Sequence, residues 1–181
     1  MLERFTKAAR VVVRDAVQIA EQESAALIRP EHLLLSMLRQ DGTTAIKILA
    51  HHEVTTDVVV DALDKAHRRG GLSTADTAAL GEVGIDVDAV VAALEQVHGE
   101  GALAPAKRRR TFGPRWRVPF AAESKKVMEQ SLRETLELRD PSIGDEHILL
   151  ALLACGGVTA DILIALGVTP QGVRAYLAKA S

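Results

Sequence analysis

The chain says one thing twice. "RPEHLLLSML" at residues 29–38 and "GDEHILLALL" at residues 144–153 share a Glu-His pair ahead of a leucine run. The likeness extends well beyond them. A displacement of 115 residues lays Phe120 on Phe5, Val127 on Val12, Glu146 on Glu31, His147 on His32, and Leu149, Leu150 and Leu153 on Leu34, Leu35 and Leu38. Past the turns "DGTT" and "CGGV" the displacement drops to 114, which lays Ile162 on Ile48, Val168 on Val54, Thr169 on Thr55 and Leu177 on Leu63. A deletion that falls in a turn is what a structural duplication tolerates. Such a repeat is a supersecondary unit that cannot bury its apolar face alone, so the two copies are expected to fold against each other.

Each copy reads as four helices. In the first, Thr6 can cap a helix from about Lys7 to Ser24, whose Ala9, Val12, Val13, Ala16, Val17 and Ala20 form a stripe at helical spacing. Pro30 opens a second helix to about Arg39, in the first turn where its missing N–H costs nothing. Further helices are predicted over about Thr43 to His51 and from Thr55 or Thr56 to about Arg68. The second copy repeats the set over about Glu123 to Arg139, Glu146 to Ala154, Thr159 to Leu166 and Pro170 to Ala180, with Thr169 as the last cap. The expectation is an all-α protein in which repeat 1 (1–68) and repeat 2 (120–181) form one domain of two four-helix units about a pseudo-twofold axis. Aromatic residues make up only 3% of the chain, and Ala, Leu and Val supply the apolar mass, which suits closely packed helices.

Residues 69–119 separate the copies. Their first part, "RGGLSTADTAALGEV", is small and polar and reads as a mobile stretch. "GIDVDAVVAALEQVHGEG" carries Asp86 or Asp88 as a cap near its start and an apolar face through Val87, Val90, Val91, Leu94 and Val97, and reads as one extra helix near 86–98. A basic, Pro- and Gly-punctuated loop follows over 105–118. The formal charge of −2 gives no global field toward nucleic acid or an anionic membrane. The single cysteine, Cys155, excludes an internal disulfide. The N-terminus lacks the apolar run of a signal peptide, and no stretch approaches a span of about 18 apolar residues, so the expected location is the cytoplasm.

"MLERFTKAARVVVRDAVQIAEQE…PEHLLLSML" and "VPFAAESKKVMEQSLRETLEL…IGDEHILLALL…LGVT" resemble the paired repeats of the Clp amino-terminal domain, the substrate- and adaptor-receiving module of ClpC/ClpA-type AAA+ unfoldases. The resemblance implies the double four-helix fold and a non-catalytic role. No G-x-x-x-x-G-K-S/T stretch occurs, so the sequence offers no phosphate-cradling loop for ATP. The resemblance is to a freestanding Clp amino-terminal-domain protein of the kind actinobacteria carry. No enzyme activity, metal or cofactor is expected.

Two sets of site residues follow from the resemblance. Glu31 and Glu146 stand where some ClpC proteins receive the guanidinium of phosphoarginine, while helix-start amides hold the phosphate. The family's Gly-Thr is Arg29-Pro30 in one copy and Gly144-Asp145 in the other, which removes a hydroxyl and brings in a carboxylate. Asp145 could cap its helix as Thr does, and Arg29 could compensate in part. Phosphoarginine proteins are therefore secondary among the expected partners. Leu2, Phe5, Phe120 and Lys125 match the surface where ClpC amino-terminal domains accept adaptors and cyclomarin-type cyclic peptides, although packing near the pseudo-axis is also open to both phenylalanines.

From the residues alone, His32 and His147 read as core histidines hydrogen-bonded across the repeat interface, and Cys155 as packing. "KRRR" at 107–110 with Arg115, Trp116 and Arg117 could stack on and neutralise nucleic acid, which gives an alternative reading as a nucleic-acid-binding regulator using residues 107–117. The main expectation is a protein- or peptide-binding module: an adaptor or regulator of a Clp unfoldase-protease, or a decoy that sequesters ClpC ligands such as cyclic peptide antibiotics.

Overall fold

A computed structural model describes residues 3–104 and 118–180. Ten helices occur in them, and no strands. Repeat 1 holds α1 (Lys7–Gln22), α2 (Pro30–Leu38), α3 (Thr44–His51) and α4 (Thr56–Arg68). The insertion holds α5 (Thr74–Glu82) and α6 (Val87–His98). Repeat 2 holds α7 (Ala122–Leu138), α8 (Asp145–Cys155), α9 (Val158–Ala165) and α10 (Pro170–Ala180). Three of the expected caps form as read: Thr6, Thr55 and Thr169 each accept a backbone N–H from three residues on.

α2 and α8 are apolar around most of their circumference, which fits only a helix enclosed on all sides. They occupy the centre. From His32 to Met37 every residue of α2 is buried, as is every residue of α8 from His147 to Leu153. α2 touches α1, α3 and α4 of its own repeat and α7, α8 and α9 of the other; α8 touches α7, α9, α10, α1, α2 and α3. Small residues allow the close approach. Ala9, Ala16 and Ala20 line the buried face of α1, and Ser36 of α2 donates to the Val12 carbonyl at 2.9 Å.

The halves are joined by exchanged backbone. The segment before α1 crosses to the loop before α8: Thr6 N–H donates to the Ile143 carbonyl at 2.9 Å, and Ile143 N–H to the Arg4 carbonyl at 2.8 Å. The segment before α7 makes the reciprocal pair with the loop before α2, Ala121 to Ile28 at 2.9 Å and Ile28 to Pro119 at 2.8 Å. These residues are equivalent under the 115-residue displacement, so each repeat lends its entry segment to the other. Ser124 adds a side-chain bond to the Ile28 carbonyl at 2.7 Å.

The duplication also shows in helix ends. Ser24 (φ 55°) and Arg139 (φ 60°) are left-handed at equivalent positions, and each is followed by the same five-residue return bond, Ala25 to Ala20 and Asp140 to Thr135. Glu53 (φ 55°) and Gly167 (φ 83°) form the second such pair.

The insertion differs from expectation. "TADTAALGE", part of the stretch read as mobile, is α5, so the described part of the insertion carries two helices and not one. It is held at its start: Ser73 and Asp76 form a reciprocal capping box, and Asp161 of α9 accepts the Thr74 N–H at 2.6 Å. Arg69 pairs with Asp88 at 2.9 Å, and Arg68 with Glu95 and Glu100, where α4 ends. Among the described residues no single helix is long and apolar enough to cross a membrane.

The left-handed pair yields a reciprocal test. Glu53→Gly relieves a conformation that costs an L-residue about 1 kcal/mol and is expected to raise unfolding free energy by up to that amount in urea titration. Gly167→Ala is expected to lower it, because a Cβ there is strained and meets His52 Nδ1 at 3.4 Å.

Candidate ligand site

The two Glu-His helix starts share a backbone solution. In each, the histidine's Nδ1 accepts the N–H of the residue before the helix: Arg29 to His32 at 2.7 Å and Gly144 to His147 at 2.9 Å. An accepting Nδ1 places the proton on Nε2. That Nε2 faces a carboxylate of the same repeat, Glu23 at 3.3 Å from His32 and Asp140 at 3.0 Å from His147. The hydrogen bond from His32 holds the Glu23 carboxyl below its ordinary range. Both histidines are buried, as read, but their partners are local and not across the repeat interface.

Asp140, Glu146 and His147 place three ligand-type atoms within 4.8 Å of one another. Glu146 Oε1 lies 3.2 Å from the same Nδ1 that accepts the Gly144 N–H, so the three side chains gather at the start of α8.

Asp145 was read as a cap for its own helix. Gly144 takes that position, and the Asp145 carboxylate turns to the other repeat, where it accepts the Ala45 N–H at 2.7 Å at the start of α3. It is only 4% exposed, and burial pushes its carboxyl up, against the opposing pull of Ala45 and Thr43. Beside it Glu146 folds back over Gly144, its carboxylate filling the space that a Cβ there would take.

In repeat 1 the same helix start opens into a cavity of about 610 Å³. Leu35 of α2, Val60 and Leu63 of α4, and Ala25 and Ala26 of the preceding loop supply apolar wall. Glu23, Glu31, Asp64 and Glu100 contribute carboxylates, and Arg29 and Arg68 guanidinium groups. Glu31 stands between two side chains that can donate to it: His67 Nε2 lies 3.1 Å from its Oε1, and Arg29 is at 4.0 Å. Since a carboxylate only accepts, His67 is the donor. Glu100, Gly101 and Ala104 close one side, so the insertion forms part of this wall.

The sequence-derived residues divide accordingly. Arg29 and Glu31 come together in the cavity. Glu146 sits apart, at the equivalent start of α8. Phe5 and Phe120 occupy equivalent places in the exchanged seam, bridged to Ile143 and Ile28. Phe5 is buried while Phe120 is partly open, and Lys125 is exposed one turn into α7. Leu2 and the basic residues 107–117 lie outside the described residues. Sequence reasoning missed His67, Arg68 and Glu100. Arg68 and Glu100 are paired, but 32 residues apart, a spacing that no local pattern signals.

Comparison with known proteins bears on both halves. Residues 4–77 match the Clp repeat (R) N-terminal domain family. Chaperone protein ClpC1, chloroplastic, of Oryza sativa subsp. japonica is 45% identical over 58 residues, 32% of this chain and 6% of that protein. Its Arabidopsis thaliana counterpart gives the same identity over the same share. The chain thus spans only a small part of these relatives. The N-terminal domain of the caseinolytic protease associated chaperone ClpD from Arabidopsis thaliana superposes with a TM-score of 0.53 at 18% identity, covering 99% of this chain and 96% of that one. The Hsp104 N-terminal domain from Candida albicans gives 0.57 at 14%, covering 96% and 89%. Sequence likeness therefore marks the first repeat, and likeness of fold extends through the second.

The position of Asp145 generates a pH test. Its raised folded-state pKa makes the ionised form a cost to folding that disappears as pH falls below the ordinary value of 3.8. Asp145→Asn keeps an oxygen for the Ala45 N–H. It is expected to be more stable than the parent chain at neutral pH and no more stable in acid, as read by urea titration at both.

Proposed function

We propose that this chain, whose residues 4–77 match the Clp repeat N-terminal domain family, is a non-catalytic receptor for protein or peptide segments and that it reads a basic side chain at the start of α2. The observation that carries this reading is the repeat 1 cavity. Its carboxylates, Glu31 foremost, suit a guanidinium, and its apolar wall suits the aliphatic stem of the same side chain. Arg29 and Arg68 on the rim offer countercharge to a phosphate on that guanidinium. In repeat 2 the Asp145 carboxylate, which a sequence reading sets against phosphate binding, is engaged with α3, and Glu146 folds back over Gly144. Repeat 1 is the better candidate for phosphoarginine.

A receptor of this kind serves a Clp unfoldase-protease as an adaptor when it also holds the unfoldase, and acts as a decoy when it only withholds ligands, cyclomarin-type cyclic peptides among them. Partly open Phe120 with exposed Lys125 is the second candidate contact, for such cyclic peptides or for adaptors.

Calorimetric titration separates these sites. A peptide carrying phosphoarginine, and more weakly its arginine counterpart, is expected to bind the parent chain and to lose about tenfold or more in affinity with Glu31→Ala, some 1.4 kcal/mol. Phe120→Ala is expected to spare that binding and weaken a cyclomarin-type peptide. Absence of binding by all three ligands overturns the receptor reading, and co-purification with a ClpC-type unfoldase distinguishes adaptor from decoy.

A further inference from the structure

A phosphate arriving at Arg68 meets a competitor. The Arg68 guanidinium donates to the Glu100 carboxylate, and its Nε lies 3.7 Å from Glu95. Both acids belong to the insertion, Glu95 to α6 and Glu100 to the turn after it, and so lie outside the correspondence that relates the two repeats. The turn is built to present Glu100. Gly99 and Gly101 on either side are left-handed (φ 87° and 75°), a conformation that glycine adopts without strain, and Glu95 Oε1 accepts the Gly101 N–H at 2.9 Å. Glu95 thus fixes the turn while Glu100 reaches Arg68 at the cavity wall that both residues line. The pair is wet: Glu100 is 75% exposed and Arg68 49%. An exposed ion pair is weak and exchanges readily with another anion.

The two ends of a phosphoarginine ligand therefore face different conditions. Its guanidinium is read by Glu31, which is engaged with His67 and Arg29. Its phosphate gains Arg68 only by displacing Glu100, and it carries close to two negative charges into the neighbourhood of that carboxylate. An unmodified arginine has no group that competes for Arg68. We propose that Glu100 is the specificity-determining residue of this cavity, an internal carboxylate that occupies the phosphate's place on Arg68 and so sets how far phosphorylated arginine is preferred over arginine. This role rests on the receptor reading and gives the insertion its part in it.

The full chain, Glu100→Gln, and Glu100→Gln combined with Arg68→Gln are titrated calorimetrically with a phosphoarginine peptide and with its arginine counterpart. Glu100→Gln is expected to tighten the phosphorylated peptide by about threefold or more and to leave the arginine peptide unchanged or weaker. The gain is expected to vanish in the double variant, because it is made through Arg68. Both substituted side chains are largely exposed, and an unchanged circular dichroism spectrum shows that the variants are folded. The proposal is overturned if the ratio of the two affinities is the same in the parent chain and in Glu100→Gln. It is also overturned if the gain persists without Arg68, which would make it a general effect of net charge. Either result leaves the receptor reading standing, since both peptides still bind; binding of neither peptide by any of the three proteins overturns the receptor reading and the role of Glu100 together.

Discussion

Four backbone hydrogen bonds, between the entry segment of each repeat and the loop before the central helix of the other, organise this protein. Arg4 and Thr6 pair with Ile143, and Pro119 and Ala121 with Ile28. Each pair fixes where a long outer helix begins and where a buried central helix is approached. Because the segments are exchanged, neither repeat can complete its own seam. The leucine-rich α2 and α8, buried nearly all round, have partners in both repeats and gain full enclosure only when the exchange is made. Apolar burial supplies the driving force, and the seam supplies the register.

Symmetry in the backbone coexists with asymmetry in use. Both helix starts hold a histidine that accepts the preceding N–H and faces a carboxylate. In repeat 2 the next position is Asp145, whose carboxylate ties α8 to the start of α3, and Glu146 folds over Gly144. In repeat 1 that position is Pro30, which leaves no side-chain acceptor to make such a tie. There Glu31 faces His67 and Arg29 at a cavity that the insertion helps to wall. A duplicated fold thereby carries one copy of the motif tied to the opposite repeat and one copy beside a cavity.

Much of this was legible in the sequence because it is local. Threonine caps, the proline in a first turn and the apolar stripes set nearly every repeat helix to within two residues of its place. α5 was not legible, because it has no buried residue and no apolar stripe; its reciprocal Ser73–Asp76 box was the available signal, and Asp161 comes from across the fold. The histidines were read as buried, but their partners could not be named, since a side chain three residues from its own helix start competes equally well for local and distant donors. The cavity was out of reach for a different reason. Arg29 and Glu31 are neighbours in sequence, whereas His67, Arg68 and Glu100 join them only through packing of α4 and the insertion.

The account stands on the exchanged seam being part of the cooperative fold, not a late addition to two independently stable halves. Native-state hydrogen exchange of the Thr6, Ile28, Ala121 and Ile143 amides measures this directly. All four are expected to exchange only through global unfolding, with protection equal to that of Leu34 and Leu149 in the central helices. Exchange of the four through a local opening, while α2 and α8 stay protected, would contradict it.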